Sequence, residues 1–119
     1  MLKHSKPAIA DVFFALGDET RLVLITKLRA GASSATLLSQ GVLVTRQAVN
    51  KHLQVLEDAG LVSHKRCGRE VLYSLDPHRL QHAQAFLNVI SAGWDRALNR
   101  LRNMVEEKPA PPPRRARYR

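Results

Sequence analysis

The sequence predicts a mainly α-helical domain closed by one β-hairpin, in the order α-α-α-α-β-β-α. Three observations predict it. Apolar residues recur at steps of three and four along most of the chain, the period of a helix with one buried face. Only residues 62–75 switch to an alternating pattern, the period of a strand. Hydrophobic residues make up 45% of the 119-residue chain but aromatic ones only 5%, so the core must be built from Leu, Val, Ile and Ala. A chain of this length suits one domain.

A first helix is expected from Ala8 to Leu16, with Ile9, Val12, Phe13 and Leu16 on one face and Gly17 as its break. Asp18 suits the N-cap of a second helix running to about Arg29, because its carboxylate accepts from exposed backbone N–H groups. Leu22, Ile25 and Leu28 form that helix's stripe, widened by Val23 and Leu24, and Gly31 marks its stop. Ser33 or Ser34 opens a short third helix to about Gln40, anchored by Leu37 and Leu38. Thr45 caps a fourth, Arg46 to Ala59, in which Val49, Leu53 and Leu56 face one way and Gly60 supplies the C-terminal break. Two short strands flank Cys67-Gly68-Arg69, with Val71, Tyr73 and Leu75 alternating on one face. Asp76-Pro77 reads as an N-cap followed by proline at the first helical position. The last helix is expected from Pro77 to about Glu107, continuous through Gly93 because its stripe stays in phase there. Residues 1–7 are expected to be a flexible N-terminus, 8–107 the folded domain, and 108–119 a disordered Pro/Arg tail with too little apolar surface to pack.

The formal net charge is +9, from 19 basic and 10 acidic residues. Lys108, Arg114, Arg115, Arg117 and Arg119 supply more than half of it, so a nucleic-acid reading must rest on where the remaining charges fall. Two of them, Arg46 and Lys51, share a face of the fourth helix with three amides. With Val49, Leu53 and Leu56 turned inward, Arg46, Gln47, Asn50, Lys51 and Gln54 are left facing out. All five donate hydrogen bonds, and the acids Glu57 and Asp58 come only at the far end. Arg46 and Lys51 suit guanine edges or phosphates, and Gln47 and Asn50 suit adenine edges, since an amide pairs a donor with an acceptor. Ser33, Ser34 and Thr45 sit at helix starts, where a hydroxyl and free N–H groups can hold a phosphate. Lys65, Arg66 and Arg69 put positive charge at the hairpin tip, suited to the minor groove. The order of elements is that of a winged helix-turn-helix, with the fourth helix in the major groove.

The segments ALGDETRLVLITKLRAG, TRQAVNKHLQVLEDAGLV and GREVLYSLDP resemble those of the ArsR/SmtB family of winged helix-turn-helix repressors, over about residues 8–107. The resemblance implies a dimeric repressor of an operator palindrome whose partner surface comes from the first and last helices. It also invites a search for the metal ligands of the family's sensors. The third helix has no Cys-x-Cys pair. On the last helix Asp76 and His78 match one half of a ligand set, but Val89 and Ala92 stand where the other half would be. The chain is therefore similar to the branch lacking recognised metal ligands, with no metal and no cofactor expected. In the turn before the fourth helix Leu43 stands where many relatives have Gly or Pro.

The last helix carries its own argument for a homodimer. Leu80, Ala83, Leu87, Ile90, Trp94, Leu98, Leu101 and Val105 form a stripe of about 25 residues, roughly 38 Å at about 1.5 Å per residue. A small helical core cannot cover it. A second copy can, with Ile9, Val12 and Phe13 of the first helix packing alongside. No phosphate-binding glycine loop and no His-Glu-x-x-His motif is present, so no enzyme and no catalytic residue is expected. A single cysteine, Cys67, allows no intrachain disulfide. Without a signal-peptide pattern or a membrane-length apolar run, the default location is cytoplasmic and nucleoid-associated. Double-stranded DNA is the expected partner and any small-molecule effector is unknown. The competing readings are a thiol- or metal-responsive sensor of the same fold, a transcriptional activator or architectural DNA-binding protein, and a protein-interaction module without DNA binding.

Overall fold

The computed structural model describes residues 8–106. The segments expected to be a flexible N-terminus and a Pro/Arg tail lie outside the described residues, as does Glu107. The elements run α1 (Ile9–Leu16), α2 (Glu19–Leu28), β1 (Ser33–Ser34), α3 (Ala35–Leu38), α4 (Arg46–Asp58), β2 (Val62–Cys67), β3 (Glu70–Leu75) and α5 (Pro77–Glu106). The chain divides into two compact units, the first ending at Gln84 and the second beginning at Ala85.

The first unit is built around Val12, Leu24, Leu38, Val49, Leu53, Leu56 and Leu61, all with essentially no exposed surface. Local chemistry sets its helix ends. The Asp18 carboxylate accepts from the Arg21 amide at 3.0 Å and opens α2. Alanine at the N-cap of α1 has no side-chain acceptor, and Asp11 reaches back instead, accepting from the Ala8 amide at 3.1 Å. Helix α4 ends in a Schellman motif: the Leu61 amide donates to the Leu56 carbonyl and the Gly60 amide to the Glu57 carbonyl, both at 2.9 Å. Gly60 takes φ +79°, which a residue with a Cβ rarely adopts. Leu56 and Leu61, side by side across this turn, are both buried.

Strands β2 and β3 pair antiparallel from Val62 opposite Leu75 to Cys67 opposite Glu70, leaving Gly68-Arg69 as a two-residue loop. Gly68 at φ +64° supplies the positive φ such a loop requires. The hairpin is not alone. Ser33 and Ser34 pair antiparallel with Tyr73 and Leu72, giving a three-stranded sheet in the order β1-β3-β2. The serines expected to open α3 therefore do two jobs: both form a strand, and Ser34 also caps the helix, its Oγ accepting from the Leu37 amide at 3.2 Å.

Two expected core faces need correction. In α2 the inward residues are Arg21, Leu24 and Leu28, with Ile25 partly buried, whereas Leu22 is 47% and Val23 41% exposed. Both sets obey helical spacing, and the choice falls to a buried arginine whose polar atoms all find partners. In α3 only Leu38 is an anchor and Leu37 is exposed, because four residues make barely one turn and give one inward position.

The second unit is the continuation of α5, helical through Gly93 as its phase predicts. Among the described residues, Leu87, Ile90, Trp94, Leu98, Leu101, Met104 and Val105 are about half or more exposed and fall on one stripe of that helix. No described helix is long and apolar enough to cross a membrane.

Candidate nucleic-acid interface

Helix α4 is anchored from within and open from without. Val49, Leu53 and Leu56 are fully buried in the core, while Arg46, Gln47, Asn50, Lys51 and Gln54 are all exposed. The Thr45 Oγ accepts from the Ala48 amide at 3.0 Å, so this hydroxyl serves first as a cap. Its proton stays available to donate, and the first amides of the helix still point out of its end.

Tertiary structure sorts the exposed face into two rows. Arg46 and Asn50, one turn apart, line a cleft of about 680 Å³ together with Ser34, Thr36, Arg69 and Tyr73. The cleft runs from the start of α3 across α4 to the hairpin, so Arg69 of the loop and Arg46 of α4 border one concavity. Gln47 and Lys51 belong to the other row. Gln54 is already engaged, its Nε2 donating to the Asp58 Oδ1 at 2.9 Å. That bond draws it toward the acidic end of the helix, a weaker position for base contact than the free amides at 47 and 50.

In the hairpin Lys65, Arg66 and Arg69 are all exposed. Lys65 pairs with Leu72 and Arg66 with Val71, so the pleat sends them to opposite faces. Both Glu70 and Val71 line the cleft, and neither Lys65 nor Arg66 does. The hairpin is fastened to α4 by His64, whose Nδ1 lies 2.7 Å from the Glu57 carboxylate, and to the core by the Asp76 amide donating to the Leu61 carbonyl at 2.9 Å. Asp76 also caps α5, its Oδ1 accepting from the His78 amide at 3.0 Å.

Spacing did not mark as site residues Thr36, on the one-turn α3, Tyr73, on β3 opposite Ser33, or Arg21 and His52. The Arg21 side chain is 8% exposed, and its Nε donates to the Ala15 carbonyl at 2.7 Å and its Nη2 to the Phe14 carbonyl at 3.3 Å. Its Nη1 lies 3.1 Å from the His52 Nδ1 on α4, and the Phe14 ring covers the guanidinium at 5.4 Å. The Asp18 carboxyl is held below its ordinary value, first by the Arg21 backbone hydrogen bond and also by the Arg21 charge, against an opposing effect of burial.

The residues read as a partner surface divide by burial. Val12 and Ala83 are buried in the core of the first unit and are not exposed for a partner. Ile9, Phe13 and Leu80 are partly buried against that core. Leu87, Ile90, Trp94, Leu98, Leu101 and Val105 are exposed. Among the described residues no group of three or more His, Cys, Asp or Glu gathers where a metal ion could sit. His78 and His82 stack edge to face at 5.1 Å, and the His82 Nδ1 accepts from Arg79 at 2.9 Å. Cys67 is exposed and unpaired by disulfide.

Known proteins match this architecture. A helix-turn-helix domain family matches residues 16–65. The HTH-type transcriptional repressor SmtB of Mycobacterium tuberculosis is 35% identical over 75 residues, which is 63% of this chain and 56% of that protein. The chain thus spans just over half the length of that relative. The HTH-type transcriptional regulator Rv2034 of the same organism is 32% identical over 94 residues, covering 79% of this chain and 85% of Rv2034. Among solved structures, the ArsR-like transcriptional regulator from Rhodococcus sp. RHA1 superimposes with a TM-score of 0.70 at 38% identity, over 81% of this chain and 91% of its own. With 85% of Rv2034 and 91% of the Rhodococcus regulator covered, at 32% and 38% identity, the chain belongs to the ArsR/SmtB family of winged helix-turn-helix transcriptional regulators.

Proposed function

We propose that the protein is a sequence-specific double-stranded DNA-binding transcriptional regulator, a repressor that acts as a homodimer on an operator palindrome. The observation that carries this reading is helix α4, whose apolar face is locked into the core while its outer face presents Arg46, Gln47, Asn50 and Lys51, all exposed and none acidic. Gln47 and Asn50 read base edges in the major groove, and Arg46 and Lys51 contact guanine or phosphate. The Thr45 and Ser34 hydroxyls donate to flanking phosphates while their oxygens cap the helices. Arg66 and Arg69 meet the backbone or minor groove beyond the cleft. Membership of a family named for repressors supports the regulatory role, and no enzyme is implied. The exposed stripe of α5 supports the homodimer, which sets two copies of α4 about one DNA turn, roughly 34 Å, apart.

The test is footprinting on DNA upstream of the protein's own gene. A protected palindrome, lost in the Asn50→Ala and Lys51→Ala variants, is the expected result. Binding that ignores sequence, or that survives both substitutions unchanged at fixed salt, removes α4 as the reader.

A further inference from the structure

We propose that Arg21 and His52 form a positioning pair that seats the recognition helix on α1 and α2, and that it works only while His52 is uncharged, so that operator affinity falls when His52 takes up a proton. The inference rests on the DNA-binding reading for its consequence but not for its chemistry.

The chemistry follows from three contacts. A guanidinium has donors and no acceptor, so the 3.1 Å contact between the Arg21 Nη1 and the His52 Nδ1 requires a bare Nδ1 and a proton on Nε2. Arg21 is meanwhile held from the other side by the Phe14 and Ala15 carbonyls at the end of α1. One buried cation thus ties the last turn of α1 and the first turn of α2 to the middle of α4. His52 lies one residue from Leu53 and three from Val49, both fully buried, so moving it moves the anchored face of the helix. Protonating Nδ1 replaces an acceptor with a donor and sets two positive charges against each other. Asp18 stands ready to take the new proton's hydrogen bond, its Oδ2 lying 3.8 Å from the same nitrogen. Because its carboxyl is held low, it is still charged across the range in which histidines titrate. Protonation therefore exchanges the Arg21 partner for Asp18, turns the ring, and releases α4 from the guanidinium.

Among the described residues, no other hydrogen bond or ion pair reaches the His52 ring. From α2 the groups that face it are Asp18 and Arg21. The one acid of α1, Asp11, is used at Ala8. Helix α3 carries no charge. From β2, His64 is occupied by Glu57 at the far end of α4.

The experiment measures operator affinity by fluorescence anisotropy between about pH 5.5 and 7.5 at fixed salt, with two variants and a spectroscopic control. Asparagine places a neutral acceptor where Nδ1 stands and cannot titrate. His52→Asn is expected to keep wild-type affinity at pH 7.5 and to lose about a tenfold fall toward pH 5.5, the scale of one hydrogen bond to a charged group. His52→Leu, with no acceptor, is expected to bind about tenfold more weakly at every pH while staying folded by circular dichroism. Nitrogen NMR of the free protein should find neutral His52 protonated on Nε2, and α4 amide shifts should follow its titration. An Nδ1–H tautomer overturns the pair, and so does a His52→Asn profile as steep as wild type. If NMR bears out the pair while no DNA is bound, the functional reading fails and the pair stands.

Discussion

Replacing Leu87 and Ile90 together with alanine should dissociate the proposed dimer without unfolding the protomer. These side chains are 50% and 48% exposed in the single chain, so a two-fold partner has about half of each left to cover. Burying a whole aliphatic side chain is worth about 1.5–3 kcal/mol, which makes the uncovered half worth about 0.7–1.5 kcal/mol apiece. A symmetric dimer carries four such halves. Alanine keeps only Cβ, so the double variant should lose about 2–4 kcal/mol of association free energy. At about 1.4 kcal/mol per decade, that weakens the dimer by about 30- to 1,000-fold. Alanine is the best helix former, so α5 should not melt. The assay is sedimentation velocity across a concentration series, with circular dichroism to follow helicity and anisotropy to follow operator binding. Wild type should sediment as a dimer at low micromolar concentration, and the variant should shift to the mass of one chain, losing tight operator binding with it. A shift of less than about threefold would refute the reasoning, as would a wild type that is monomeric while holding full specific affinity.

Further substitutions separate the roles along α4. Asn50→Ala or Gln47→Ala should relax sequence preference by about 1–3 kcal/mol at one base step, measured by competition between operator variants. Lys51→Ala should weaken binding to all sequences and flatten log K against log salt by about one unit. Gln54→Ala should leave sequence preference within about 0.5 kcal/mol of wild type, because its amide is bonded to Asp58; a larger change in operator competition would return it to the reading face. Asp18→Asn should flatten acid unfolding. The wild-type carboxyl is held below its ordinary value, so its stabilisation is complete above about pH 4, the unfolded value, and is lost as pH falls through the lower folded value. Asparagine keeps the N-cap, and a thermal midpoint falling as steeply below about pH 4 as in wild type would contradict this.

What was legible in the sequence was what neighbours along the chain decide. The 4-3 spacing of Val49, Leu53 and Leu56, the Thr45 cap and the Gly60 stop all lie within one helix, where side chains three and four apart share a face whatever else the protein does. The Gly68 turn and the unbroken phase of α5 across Gly93 are local in the same sense. Even the Gln54–Asp58 bond lies at i, i+4, where such a bond could be read from the sequence. Tertiary structure decided the rest, because those outcomes depend on groups far apart in sequence. Ser33 and Ser34 are too few to show a period, and they become a strand only because β3 presents Tyr73 and Leu72 beside them. Which face of α2 turns inward was undecidable between Leu22 and Arg21, since burying an arginine needs partners that only folding assembles: two carbonyls from α1 and a histidine from α4. The same holds for the division of the α4 face into a row beside the hairpin and a row outside it. It holds too for Val12 and Ala83, apolar residues at the right spacing for a partner surface that the protomer's own core had already claimed.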